Sequence, residues 1–301
     1  MRHSYRTTLF LHVDDRAPTR RRSLETRRES LGDSAGASSR SDGAASASSW
    51  EFDPDVLEAQ AALTWVEESR LLTEFRIGGV VLAAGCGSGA FAARVAELDG
   101  VEQVTGVDLD AKLLALARKR LPDATFVEAA AEALPYPDDT FDAAIARLLL
   151  QHVEDPRAVI AELRRVVRPG GLVAAISVDA GIWGVAEPFI PELALVQAKL
   201  WEARRQLGGE RTIGRRLHRI FDRAGVVDVS LRSYCSHSDV LGLDAFAPLL
   251  GPEQFASAVA DGTITPGEYE GLGRGYARFR ADPEAFILML GIFAAGRVPG
   301  A

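Results

Sequence analysis

Val80-Val81-Leu82-Ala83-Ala84-Gly85-Cys86-Gly87-Ser88-Gly89 is an apolar run that meets three glycines, one at every second position. The run reads as a buried strand, and the glycines read as a turn at its carboxyl end. Without a Cβ such a turn can pass close to a ligand, and the helix that follows presents free N–H groups. The stretch therefore describes a nucleotide-cofactor pocket and leaves open which nucleotide it takes.

Reading outward, strand and helix alternate. Val80 to Ala84 is the first strand, and Ala90 to Leu98 puts Phe91, Val95 and Leu98 on one helical face. Gln103 to Asp108 is a second strand, followed by a helix over Ala111 to Leu121 that stops at Pro122. Thr125 to Glu128 and Ala143 to Ala146 are short strands. Asp155-Pro156 supplies a capping carboxylate and a proline for the first helical position; Val159, Ile160, Leu163, Val166 and Val167 then recur at helical spacing until Pro169-Gly170-Gly171. Leu172 to Val178 is the next strand, and Ile213 to Ala224, ending at Gly225, is a helix before a strand over Val226 to Tyr234. Phe286 to Ala295 returns as a last strand. This rhythm predicts an α/β fold with a doubly wound, Rossmann-like sheet whose ligand lies outside the carboxyl ends of the strands. The segment Gly181 to Gly209 breaks the rhythm and reads as a helical lid, in which Trp183, Phe189 and Trp201 are positioned to cover the pocket.

Asp108 stands 23 residues beyond Gly85, at the end of the second strand, where a carboxylate can accept hydrogen bonds from two ribose hydroxyls. Gly85-x-Gly87-x-x-Ala90 also satisfies a dinucleotide fingerprint, so a nicotinamide-dependent oxidoreductase stays open at this point. Beyond Asp108 nothing supports it: there is no Tyr-x-x-x-Lys pair, and Lys112, Lys119 and Lys199 fall in helical stretches.

Further on come Ala130-Ala131-Glu132-Ala133-Leu134-Pro135-Tyr136-Pro137-Asp138-Asp139-Thr140-Phe141-Asp142, Arg147-Leu148-Leu149-Leu150-Gln151-His152-Val153 and Arg168-Pro169-Gly170-Gly171. With the glycine turn, these segments resemble class I S-adenosylmethionine-dependent methyltransferases of type 11, the subgroup similar to ubiquinone and menaquinone methyltransferases. The resemblance is dense over Val80 to Ser177 and thinner towards the C-terminus. It implies a seven-stranded sheet with S-adenosyl-L-methionine as cofactor and a small-molecule methyl acceptor. By the same resemblance Gly85, Cys86, Gly87 and Gly89 approach the methionine part of the cofactor, Asp108 holds the ribose, and Leu109, Ala130 and Ala131 flank the adenine. Arg147 matches the position that opens onto the methionine and methyl region.

Two positions depart from the pattern. An acidic residue is usual where this chain has Ala83, near the methionine ammonium, and where it has Ala130, near the adenine amino group. Each lost contact costs about 0.5 to 1.5 kcal/mol. Glu128 and Glu132 are the nearby acids in sequence, and a non-catalytic binding protein on the same fold is the alternative these two alanines raise. Methyl transfer from a sulfonium is already activated by the leaving group, so alignment supplies much of the rate and a base is needed only for a protonated acceptor. His152, His237 and Tyr234 are the candidates for such a base; His218 reads as a residue on a solvated helix face.

The remaining features bound the function. After residue 48 the chain carries 25 basic and 36 acidic residues, a net of −11, which disfavours nucleic acid as substrate. Arg204, Arg205, Arg211, Arg215, Arg216 and Arg219 make a local basic cluster that reads as a solvated face. The longest apolar run, Ala285 to Ala295, has eleven residues, short of the roughly 20 that span a bilayer. Cys86 and Cys235 give neither a disulfide framework nor a metal spacing, and no secretion signal is legible, so a cytoplasmic location is expected. Residues 1–49, rich in Arg, Ser, Ala and Gly, read as a disordered tail ahead of a domain over 50–301, with a core at 78–180 and a lid and substrate region at 181–301.

Overall fold

The computed structural model describes residues 54–206 and 209–300; the tail expected over residues 1–49 lies outside them. Helix α1 (Pro54–Glu74) leads into β1 (Gly79–Ala84), then α2 (Ala90–Ala96), β2 (Val101–Asp108), α3 (Ala111–Arg120) and β3 (Thr125–Glu128). The second half of the core is β4 (Phe141–Arg147), α4 (Pro156–Val166) and β5 (Val167–Ser177). Local chemistry sets these boundaries. The Asp110 carboxylate accepts from the amides of Lys112 and Leu113 to start α3, and Asp155 does the same for Arg157 and Ala158 ahead of Pro156 in α4.

Beyond the core lie β6 (Gly184–Glu187), α5 (Pro191–Gln206), α6 (Leu217–Arg223) and β7 (Val227–His237). Short helices α7 (Ser238–Leu241), α8 (Ala247–Leu250) and α9 (Ala256–Ala260) precede α10 (Pro266–Ala281) and β8 (Phe286–Arg297). The strands form one mixed sheet in the order β3-β2-β1-β4-β5-β8-β6, with β7 on the other edge of β8. Strands β1 to β5 pair in parallel, whereas β8 runs antiparallel to β5, β6 and β7.

The expected doubly wound class holds, with eight strands among the described residues rather than seven. The additional strand is β6, four residues that pair with Phe286–Met289 at the end of β8 that β5 does not reach. So short a segment carries no periodicity of its own, and Gly184 at its start and Pro188 after it read as loop. The helix expected over Ile213 to Ala224 is a 3₁₀ turn at Ile213–Arg216 followed by α6.

The two faces of the sheet bury separate cores. On one face Leu82, Ala144 and Val173 pack under Ile160, Leu163 and Phe221 of α4 and α6; on the other Val81, Ile145 and Ile176 pack under Leu72, Phe91 and Leu114 of α1, α2 and α3. A third cluster gathers Leu63 of α1 with Leu193 and Val196 of α5, Phe246, Phe255 and Phe279. This third core joins α1, the lid segment and the C-terminal helices into a cap with apolar packing of its own.

Candidate functional site

The glycine turn has the backbone its composition requires. Gly85, Gly87 and Gly89 have φ of 64°, 52° and 75°, a region closed to most residues with a Cβ. A Cβ at Gly89 would lie 2.9 Å from the Cβ of Ala117, and one at Gly85 would lie 2.8 Å from Leu149. The turn is tied to the neighbouring strand: Cys86 N donates to Val107 O at 3.0 Å, and Gly87 N donates to Asp108 Oδ2 at 2.8 Å. The other Asp108 oxygen accepts from Asp110 N at 2.9 Å. Each oxygen of a carboxylate has a second lone pair, so Asp108 keeps the capacity to accept two hydroxyls at the mouth of the turn. Leu109 beside it is 69% exposed, an apolar surface next to that carboxylate.

Ala83 lies buried in β1 between Gly106 of β2 and Ile145 of β4. Ala131 is buried with Leu134, Ala130 is half-buried, Glu132 is half-buried and Glu128 is exposed. Cys86 packs under the turn against Phe126, and burial, then the Asp108 charge, push its thiol well above the ordinary range. The geometry fits a ribose-bearing cofactor: a turn with glycine at every second position, a carboxylate with spare acceptor capacity and an exposed apolar residue occupy one edge of the sheet.

Arg147, at the carboxyl end of β4, shares its sheet face with Ile145, the strand neighbour of Ala83. Its Nε donates to both oxygens of Glu68 in α1, at 2.8 and 3.1 Å. One terminal nitrogen, Nη2, donates to Gln60 O and Thr64 Oγ1, and the guanidinium stands 5.2 Å from the Phe91 ring centroid. Tyr234 of β7 donates its hydroxyl to Glu68 Oε1 at 2.7 Å. Burial alone would depress the Arg147 pKa, but the charge and the hydrogen bonds of Glu68 together outweigh it and the guanidinium stays charged. Burial, then Glu68, drive the Tyr234 phenol well above the tyrosine range, so it stays protonated.

This cluster forms one wall of a cavity of about 150 Å³. Thr64, Glu68, Arg147, Tyr234, Gln151 and Gln254 supply polar lining; Trp183, Leu200, Trp201, Leu250, Phe255 and Met289 supply apolar lining. Trp183 and Trp201 of the expected lid line this cavity, whereas Phe189, between β6 and α5, is 69% exposed and off the wall. Leu148, also on the wall, has φ of 51°, uncommon for a branched apolar residue and typical of backbone held at functional sites.

Among the described residues the histidines do not gather at this cavity. His152 is exposed in the turn after β4, His218 is exposed on α6, and His237 faces Phe286 with ring centroids 6.1 Å apart. Three members of the basic cluster are paired locally: Arg205 with Glu202, Arg215 with buried Asp179 and Arg216 with Glu210. Glu68 and Gln254 were not legible as site residues in the sequence; the one signal for Glu68 was a carboxylate four residues after Thr64 on an otherwise apolar helix face.

A doubly wound sheet ending in an antiparallel strand, with a glycine turn and an acid at the ends of its first two strands, defines a class I methyltransferase fold. Residues 82–175 match the family model described as a methyltransferase domain. The chain is 34% identical over 117 residues to a demethylmenaquinone methyltransferase of Chlorobaculum tepidum, covering 39% of this chain and 44% of that protein. It is 31% identical over 132 residues to a ubiquinone/menaquinone biosynthesis C-methyltransferase of Marinomonas, covering 42% and 53%. The chain spans about half the length of these curated relatives. Its fold is similar to that of a phosphoethanolamine N-methyltransferase from Haemonchus contortus, solved with S-adenosylhomocysteine and phosphomonomethylethanolamine. The TM-score is 0.50 at 21% identity, covering 81% of this chain and 57% of that one.

Proposed function

We propose that this protein is an S-adenosylmethionine-dependent methyltransferase acting on a small, largely apolar acceptor. The observation that carries the reading is the coupling of Asp108 to the glycine turn through Gly87 N, inside the segment that matches the methyltransferase model. Gly85, Cys86, Gly87 and Gly89 form the cofactor cradle, Asp108 accepts the ribose hydroxyls, and Leu109, Ala130 and Ala131 border the adenine. Ala83 and Arg147 border the methionine end. When bound, the cofactor supplies an electrophilic methyl group on a sulfonium.

The chain's own residues supply alignment and exclusion of water. Trp183, Trp201 and Phe255 close an apolar chamber around the acceptor, and α1 holds Arg147 against it. The acidic balance of the chain beyond residue 48 argues for a small molecule over nucleic acid. Among the described residues no helix is long and apolar enough to cross a membrane. The free thiols of Cys86 and Cys235 support a cytoplasmic location. Residues 50–301 form the methyltransferase domain in this reading, with its core at 78–180.

Calorimetric titration with S-adenosylhomocysteine, with NADH as control, tests the reading. Saturable binding of the former alone is expected. Binding of NADH alone would replace the reading with an oxidoreductase. Silence from both, reversed for S-adenosylhomocysteine by Ala83→Asp with Ala130→Asp, would mark a domain that has lost its cofactor.

A further inference from the structure

Helices cover the faces of this sheet, but its edges still present unpaired backbone groups. Among the described residues β3 and β6 each offer a free edge of four residues, and Pro188 follows β6 directly. The edge of β7 is eleven residues long and holds neither lysine nor proline. A long edge without those blocking residues is a template for another strand.

The register tells which groups it presents. Leu290 N donates to Trp183 O at 2.8 Å and Gly170 N to Val298 O at 2.9 Å, both on the side of β8 that faces β5 and β6. Backbone groups alternate sides along a strand, so the even-numbered residues of β8 turn away from β7. Their partners Leu231, Ser233 and Cys235 accordingly turn their own N–H and C=O away from β8. All three residues are exposed, and among the described residues no turn or helix bonds to the backbone of Ser233 or Cys235. Leu231 O receives only the Arg232 side chain, at 3.3 Å.

The edge matches a second copy of itself. Antiparallel pairing about a two-fold axis through Ser233, the middle of the three exposed positions, sets Leu231 opposite Cys235 of the copy and Arg232 opposite Tyr234 of the copy. No charge then faces a like charge, whereas an axis through Arg232 would oppose two guanidiniums. Arg232 already stands 3.6 Å from Glu74 of its own protomer, so the seam carries no net charge although the chain is acidic. Exposed apolar side chains gather on the same elements: Leu231 is 41% exposed, Val66 of α1, the helix that β7 bonds through Ser236 and Tyr234, is 53% exposed, and Val240 of α7 is 74% exposed.

We propose that two copies of this chain pair β7 to β7 about a two-fold axis through Ser233, joining their sheets into one. Tyr234 lies inside the paired stretch and bonds Glu68, so the seam backs the Arg147 cluster of each protomer. The pairing does not depend on the methyltransferase reading.

Sedimentation velocity of the full chain at micromolar concentration tests this; the expected species has twice the 32.3 kDa of one chain. Ser233→Lys, at an exposed position, sets two ammonium groups against each other on the axis and should raise the dimer dissociation constant about 100-fold with an unchanged circular dichroism spectrum. Ser233→Pro removes the outward N–H without touching the ladder to β8 and should also give monomer. In Leu231→Cys, mild oxidation should produce a covalent dimer through Cys235 of the copy, since residues opposed in this way have Cα atoms about 5.5 Å apart, within disulfide reach. Inside one chain the same two thiols lie about 13 Å apart along the strand, and adding Cys235→Ser should abolish the link. Sedimentation of the native chain as a monomer would overturn the proposal. So would a dimer that survives both Ser233 changes, which would place the contact elsewhere, or a dimer in which Leu231→Cys forms no link to Cys235.

Discussion

Arg147 at the end of β4 and Glu68 in the middle of α1, 79 residues apart in sequence, form an ion pair at 2.8 Å with side chains 9% and 1% exposed. The pair fixes the first helix over the carboxyl edge of the sheet, and Tyr234 joins it from β7. Breaking a buried pair from one side leaves the other charge uncompensated. Glu68→Gln should therefore cost about 3 to 5 kcal/mol of unfolding free energy, and Glu68→Leu combined with Arg147→Met should cost less than the single change. Urea unfolding of the three proteins checks this; a double variant that loses as much as Glu68→Gln or more would count against the uncompensated-charge account.

Asp108 holds the glycine turn through Gly87 N, and in the proposed function it accepts the ribose hydroxyls. Asp108→Ala should weaken S-adenosylhomocysteine binding about ten- to one-hundred-fold, the loss of charge-assisted hydrogen bonds worth about 1.5 to 3 kcal/mol. Calorimetry reads the change directly, and an affinity within three-fold of native would remove Asp108 from the cofactor site.

Gly89 and Gly170 allow backbone strain and steric clash to be separated. Their φ values are 75° and 79°, but a Cβ at Gly89 meets Ala117 whereas one at Gly170 meets nothing within 4 Å. Gly170→Ala should cost about 1 to 2 kcal/mol for the left-handed backbone alone. Gly89→Ala should cost more, and only it should lower cofactor affinity. Thermal unfolding with and without S-adenosylhomocysteine distinguishes the two.

Asp179 gives stability a defined pH dependence. Burial acts to raise its pKa, but hydrogen bonds from Arg215 and Gly181 N outweigh it and hold the carboxyl below its usual range. A carboxyl with a depressed folded pKa contributes stability that is complete above the unfolded value, about 3.9, and is lost as pH falls through the folded value. In Arg215→Leu the guanidinium partner is gone while burial remains, so the depression shrinks and less stability is gained as pH rises through the carboxyl range. The gap in melting temperature between native and variant should widen from pH 3 to pH 6; a constant gap would mean that Asp179 does not titrate with folding.

The two cysteines should differ in reactivity. Cys86 is packed under the turn with a thiol pushed up by burial and by Asp108, and Cys235 is exposed on β7. A disulfide reagent at pH 8 should label Cys235 first and reach Cys86 only on unfolding. Equal rates would contradict the packing of the turn.

The sequence by itself determined the strand, turn and helix order from Val80 to Ser177, because period-two and period-3.6 patterns, glycine turns and the Asp110 and Asp155 caps are local signals. It also placed Asp108 at a strand end beside the glycines, since a parallel sheet brings those ends to one edge. Strand β6 escaped it, being four residues whose pairing partner lies a hundred positions on. Only the tertiary structure decided what faces Arg147. Glu68, Tyr234 and Gln254 come from α1, β7 and the turn before α9, and no periodicity records which side chains will meet when three separate elements pack around one cavity. A buried charge needs a partner, but the sequence holds 42 acidic residues, and burial and distance alone select Glu68 among them.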